Sequence, residues 1–336
     1  MASYHPVILA LAGVGAIVVL RSLHAVSQFL AFHLLTPAEP LKKYKRANAT
    51  ACALITGASA GIGLGIAQEL VRQGFGVVLL GHLPDELEAA AASLRVLVGS
   101  APPPDLVRTV CLDARTSTPE EMRSAVDALA TPSYPITILV NNVGGNPVSP
   151  PAFRTHATYA AGDVDAVINQ NARFMARLTA LLLPRLIGED PKARGGGGRS
   201  LVLTLSSAAH VGTPWLVMYG ATKAFNRAFG AGLARELAAD AATSHVDSLV
   251  VVPGEVVSQG NCRDVPAGSP RWDEFGKAVV RKVDGAVGRG WREMAAWWRH
   301  GVEGWLLKVV GEGVRTKGVT EQLGRKKRAW DGVKRE

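Results

Sequence analysis

The sequence predicts an α/β fold: a doubly wound, Rossmann-like parallel sheet, preceded by an N-terminal membrane helix and followed by a helical C-terminal extension. Three observations lead there. Between residues 51 and 253, short apolar runs alternate with longer helical stretches. Several of the short runs are apolar throughout, as expected for strands covered on both faces. The first run ends in a glycine-rich turn that opens a helix, Thr56-Gly57-Ala58-Ser59-Ala60-Gly61-Ile62-Gly63.

In chain order, residues 7–20 (VILALAGVGAIVVL) are apolar without interruption, and the run continues less purely through Arg21, His24 and Gln28 to Leu35. A spanning helix needs roughly 20 apolar residues, which the stretch from Ala2 to Leu20 nearly supplies. A cleaved signal peptide fits less well, because no basic residue precedes the run and no small-x-small site closes it. A buried helix is the plainer alternative. Lys42, Lys43, Lys45 and Arg46 follow directly, and positive flanks stay cytoplasmic, so the main domain is expected on the cytosolic side. The three cysteines, Cys52, Cys111 and Cys262, have no metal-ligand spacing and suit a reducing compartment. Neither a disulfide framework nor a metal is expected.

The strands are expected at Ala51–Thr56, Val77–Gly81, Val107–Leu112, Ile136–Val140, Leu201–Leu205 and Val246–Val252. Helices are expected at Ile62–Gln73, Pro84–Leu97, Pro119–Leu129 and Asp163–Ile187. Thr118-Pro119-Glu120-Glu121 carries a cap residue, a first-turn proline and an acidic first turn. The glycine run 194–199 reads as a surface connection. The chain therefore divides into an anchor with its basic flank (1–46), an α/β domain (47–260) and a basic helical substrate-lid or C-terminal extension (261–336). From residue 263 onward there are 17 Lys and Arg against 10 Asp and Glu, so most of the net charge of +9 lies there. No nucleic-acid-binding motif accompanies that charge, and an anionic membrane surface suits it better.

The glycine turn lets a pyrophosphate approach the backbone, and the helix that follows directs its free N–H groups and positive end at it. Its TGxxxGIG spacing resembles the short-chain dehydrogenase/reductase family, a resemblance that extends from about Ala51 to Ser258. It implies an NAD(P) cofactor held by Gly57, Ser59, Gly61, Ile62 and Gly63. It also implies adenine contact at Asp113 and cofactor binding by Asn141, in Asn141-Asn142-Val143-Gly144, a segment that supports the sheet and lines the adenosine side. At the tip of the second strand the residues are Gly81-His82-Leu83. No acid stands there for a ribose hydroxyl, so NADP is expected over NAD, although His82 replaces the more usual arginine.

Tyr219-Gly220-Ala221-Thr222-Lys223 matches the family's YxxxK, with Tyr219 and Lys223 on one helix face. The resemblance makes Tyr219 the proton donor to a carbonyl and Lys223 the residue that binds the nicotinamide ribose and lowers the tyrosine pKa. Ser207 is expected as the serine that holds the substrate oxygen. A strict count back from Tyr219 would select Ser206, but the strand end favours Ser207. Asn171 matches the asparagine that kinks its helix and supports the lysine. In Pro253-Gly254-Glu255-Val256-Val257-Ser258, Val256 and Ser258 would meet the carboxamide.

The anchor, the segment Tyr219–Phe225 and the basic tail resemble the branch of very-long-chain 3-ketoacyl-CoA reductases and 17-beta-hydroxysteroid dehydrogenases. That branch implies a lipophilic ketone substrate, fatty acid elongation at the endoplasmic reticulum membrane, and room for a homodimer. Rival readings are a steroid, retinoid or secondary-metabolite ketone reductase and a non-catalytic cofactor-binding scaffold. Trp291, Trp297, Trp298 and Trp305 lie among Arg281, Lys282, Arg289, Arg292, Arg299 and Lys308. They fit either a helix in a membrane interface or one packed on the domain. The run Arg325-Lys326-Lys327-Arg328 is expected in solvent or near anionic lipid.

Overall fold

The computed structural model describes residues 5–35, 37–98, 106–129, 132–188 and 198–332. Residues 194–197 of the expected glycine connection fall outside them. Seven parallel strands form one sheet in the order β3-β2-β1-β4-β5-β6-β7. They are β1 (Cys52–Thr56), β2 (Gly76–Gly81), β3 (Val107–Cys111), β4 (Ile136–Asn141), β5 (Ser200–Leu205), β6 (Val246–Val251) and β7 (Glu293–Met294). The order reverses direction between β1 and β4, which opens a crevice at the C-terminal strand ends.

Alternate residues of each central strand enter opposite layers. Ala53, Ile55, Val77 and Leu79 pack under α2 (Gly61–Arg72), α3 (Pro84–Val98) and α8 (Trp272–Gly288). Leu54, Val78, Leu80 and Leu139 pack under α4 (Pro119–Ala128), α6 (Phe174–Ile187) and α7 (Val217–Ala239). Covering on both faces explains why these strands read as unbroken apolar runs. The Thr118 cap is formed as expected, with the Glu121 N–H donating to its hydroxyl and the Glu121 carboxylate accepting from the Thr118 N–H.

Three features depart from the sequence expectation. The single helix over 163–187 is instead α5 (Ala161–Ile168), a π turn over Asn169–Arg173, and α6. A short seventh strand, β7, joins the sheet from beyond residue 260; two residues carry no periodicity by which to read it. Helix α8 is no lid. Its stripe Phe275, Val279, Val280, Val283 and Ala286 is buried in the core. It fits so closely on α2 that a methyl added to Gly276 would lie 2.3 Å from the Gly65 carbonyl carbon. Its basic face is paired: Arg281 bonds the buried Glu69 at 2.8 Å, and Lys282 donates to the His33 carbonyl at 2.9 Å.

Helix α1 (His5–Leu34) is long and apolar enough to cross a membrane, and none of its most apolar window is buried. Only its last turns meet the body, where the Phe32 ring lies 4.9 Å from Trp291 and Gln28 accepts from Arg289 at 2.9 Å. Helices α9 (Trp298–Val309) and α10 (Glu312–Asp331) complete the chain beside the crevice.

Candidate active site

The crevice is a cleft of about 2040 Å³ that runs from the β1 turn past Tyr219 to α1, α9 and α10. That exceeds the roughly 300–1,000 Å³ of a site for one drug-sized ligand, leaving room for a dinucleotide and a second molecule.

Its floor is the glycine turn. Gly57 (φ 62°) and Gly61 (φ 59°) lie in the left-handed region, where a side chain strains the backbone. The turn is tied to the end of β4. Thr56 Oγ1 accepts from the Asn142 and Val143 N–H groups, each at 2.9 Å, and Asn142 Nδ2 donates to the Thr56 and Gly57 carbonyls. Gly63 does not line the cleft; a methyl there would sit 2.3 Å from the Gly57 oxygen, so this glycine makes the turn tight. Ala60 gives no side-chain cap to α2, so the first-turn N–H groups of that helix face the cleft without a side-chain acceptor. A phosphate fits such an end.

Ser59, Ile62, His82 and Asp113 also line the cleft. Ser59 donates to Glu86 at 3.2 Å. Arg115 bonds Asp113 at 2.7 Å and holds its carboxyl below the usual range, with a smaller contribution from His82. Asn141, expected at the cofactor, does not line the cleft. Its side chain is buried away from the cleft and donates to Thr179 at 2.9 Å. Strand alternation turns it under the sheet and leaves Asn142 on the cleft side.

Tyr219 and Lys223 lie on α7, and the lysine ammonium is 5.6 Å from the tyrosine ring centre. The Ser207 and Tyr219 side chains both line the cleft. Ser206, the alternative serine, is buried and donates to the Lys223 carbonyl at 2.6 Å. Burial raises the Tyr219 pKa, the neighbouring Ser207 hydroxyl opposes the rise, and the Glu255 charge adds to it. The expected lowering of this pKa by Lys223 is absent, because burial lowers Lys223 itself to about 8.

Asn171 sits inside the π turn, fully buried, and does not line the cleft. It accepts from the Gly145 N–H at 2.9 Å and donates to the Gly145 carbonyl at 2.8 Å and to Thr222 at 3.0 Å. It thus ties the β4 loop to α7 one residue before Lys223. Gly144 makes room for the ammonium, since a methyl there would lie 2.6 Å from Lys223 Nζ.

Val256 and Ser258 line the cleft opposite the glycine turn; Ser258 Cβ is 3.8 Å from where a Gly61 methyl would stand. Glu255, directly before Val256, carries no sequence signal for the role it takes here. Its carboxylate accepts from Asn261 at 2.7 Å and from Lys326 of α10 at 2.5 Å. Lys326 is therefore buried in an ion pair at the cleft and not in solvent. A lone acid in a loop carries no signal for a partner 71 residues away.

The family model for short chain dehydrogenases matches residues 51–264. The chain belongs to the short-chain dehydrogenase family. Among relatives, the very-long-chain 3-oxoacyl-CoA reductase of Candida albicans is 31% identical over 228 residues, 67% of this chain and 60% of that protein. The protein of the same name from Schizosaccharomyces pombe is 31% identical over 186 residues, 55% of this chain and 51% of that one. The match thus spans little more than half of these relatives' length. The Podospora anserina protein of that name is 26% identical over 300 residues, 88% of this chain and 81% of that one. Solved structures share the fold. A short chain dehydrogenase from Pseudomonas syringae has a TM-score of 0.65 at 19% identity, covering 78% of this chain and 99% of its own. One from Shigella flexneri, complexed with NADP, has a TM-score of 0.59 at 20% identity, covering 75% of this chain and 97% of its own.

Proposed function

We propose that this member of the family is a membrane-anchored, NADPH-dependent reductase of a lipophilic ketone, a long-chain 3-oxoacyl-CoA, with its catalytic body on the cytosolic face of the endoplasmic reticulum. One observation carries the reading: a single cleft joins the Ser207–Tyr219 pair and Lys223 to the apolar helix α1. The names of the relatives support the substrate class, and the NADP complex of the Shigella flexneri protein supports the cofactor.

In this reading the cofactor pyrophosphate rests on Gly57, Ser59, Gly61 and Ile62 at the open end of α2, in a turn that Gly63 keeps tight. His82 receives the 2′-phosphate, Asp113 the adenine side, and Val256 and Ser258 the carboxamide. NAD remains the alternative cofactor, as His82 offers a phosphate less than arginine would. The bound nicotinamide supplies a hydride. Tyr219 donates its proton to the substrate oxygen, and its raised pKa keeps that proton in place at neutral pH. Ser207 holds the same oxygen. The Lys223 ammonium stabilises the tyrosinate that forms, and Asn171 positions the backbone and Thr222 around that lysine.

Detergent-solubilised full-length protein tests this with NADPH and 3-oxoacyl-CoA thioesters of increasing chain length. NADPH oxidation should be fastest with long chains, and Tyr219→Phe should lower kcat/KM by about 100- to 10,000-fold. Turnover of steroid or retinoid ketones alone would replace the substrate assignment. Undiminished activity in Tyr219→Phe would end the mechanism.

A further inference from the structure

Helix α9 presents an apolar stripe to the outside. Trp298, Val302, Trp305 and Val309 recur at steps of four, three and four residues, so they share one helix face. All are exposed, Trp298 by 53% and Trp305 by 60%. Leu306 widens the stripe. Large aromatics left in solvent on one face mark a contact surface.

The helix is not loosely placed. Its opposite face is seated on the body, where His300 bonds the Glu255 carbonyl at 3.1 Å and Arg299 donates to the Ala267 carbonyl at 2.8 Å. Position then indicates what covers the stripe. Residues 5–27 of α1 are exposed along their whole length, about 35 Å of helix against a hydrocarbon core of about 30 Å. Where α1 reaches the body it touches α9 directly: a methyl on Gly301 would lie 3.0 Å from Phe29. Leu30 and Leu34 of α1 are still exposed at that level. Exposed apolar side chains thus stand on both helices where the membrane helix meets α9. Tryptophan is the residue that favours the boundary between hydrocarbon and water.

We infer that α9 lies in the interfacial layer of the lipid bilayer that α1 crosses. The cleft, lined on one side by His24 and Phe29 of α1 and on the other by Trp305 and Leu306, then opens onto that layer. An apolar chain dissolved in the bilayer reaches Tyr219 without passing through bulk water. The inference rests on the anchoring role proposed for α1 and goes beyond it, since a span alone would leave α9 in water.

The test uses the full-length chain in phosphatidylcholine vesicles, with Cys111→Ser and Cys262→Ser removing the exposed native thiols. An environment-sensitive fluorophore is placed singly at Val302→Cys, Val309→Cys, Val14→Cys in α1 and Lys317→Cys on α10. Vesicles carry lipids with spin-label quenchers at graded depths. Val302 and Val309 should be blue-shifted and quenched most by shallow labels, Val14 by deep labels, and Lys317 by neither. If Val302 and Val309 behave like Lys317 while Val14 is quenched, the inference about α9 falls and the anchor stands. Quenching at Val302 and Val309 without quenching at Val14 keeps α9 in the interface and removes the span. A blue shift at Val302 and Val309 that persists in detergent, with no lipid quenching, would mean that a second copy of the chain covers the stripe, which also overturns the inference.

Discussion

The floor of the cleft and its roof are held by different forces. On the floor, Gly57, Gly63 and Asn142 interlock so closely that no added methyl fits, and α2 buries residues along most of its length. On the roof, α9 buries only His300, and α10 buries Leu323, Gly324 and Lys326. The roof is held by scattered contacts, among them Lys326 with Glu255 and the Trp330 ring beside Phe153. A dense floor fixes geometry to fractions of an ångström, as hydride transfer requires. A sparsely buried roof belongs to the low-stability end of a protein, where parts that must admit ligands are drawn from.

The strongest way to break this contrast is on the floor. Gly144→Ala puts a methyl 2.6 Å from Lys223 Nζ, the flexible end of a side chain that will yield. Thermal stability should hardly change while kcat/KM falls by about 100-fold, the cost of displacing a catalytic group by about an ångström. Normal activity in a folded variant would mean that the ammonium is not fixed there. Next, Gly276→Ala meets backbone, which cannot yield. It should destabilise the protein by about 1–3 kcal/mol, read as a lower urea midpoint.

Lys223 also gives a pH signature. Burial lowers it from 10.5 to about 8, so between those values the unfolded chain binds more protons than the folded one. This group's contribution therefore makes stability rise with pH from about 8 to 10.5, and below 8 the full cost of the buried charge is present. Urea titrations across this range should show the slope in the native protein and lose it in Lys223→Met. Reductase activity should fall over the same alkaline limb as the ammonium is lost.

The smallest effect on activity belongs to the roof. Lys326→Met should cost about 1–3 kcal/mol, because the partly buried Glu255 carboxylate loses its charged partner and is left with neutral ones such as Asn261. It should also leave a functional trace: KM for the ketone should change several-fold. A loss of several kcal/mol would show that the roof is as firmly built as the floor.

Much of the floor was legible in the sequence because its signals are local. The glycine spacing after β1, the four-residue step from Tyr219 to Lys223 and the position of Ser207 at a strand end each follow from one stretch of chain. Asn141 was misread because two adjacent asparagines differ only in the face they take, and that face depends on where β4 ends. The roof was hardly legible. Lys326 looked like one more solvated cation, and the four tryptophans carried no mark to divide them.

The sequence by itself determined the doubly wound sheet, the turn at the end of β1, and the residues around Tyr219, because periodicity and turn chemistry act over a few residues. Only the tertiary structure decided that Trp291 and Trp297 pack on the core while Trp298 and Trp305 face outward. It alone drew Lys326 to Glu255 and carried α8 into the core. Those outcomes depend on which surfaces meet after the chain has folded back on itself, and burial and desolvation are properties of that meeting, not of any one segment.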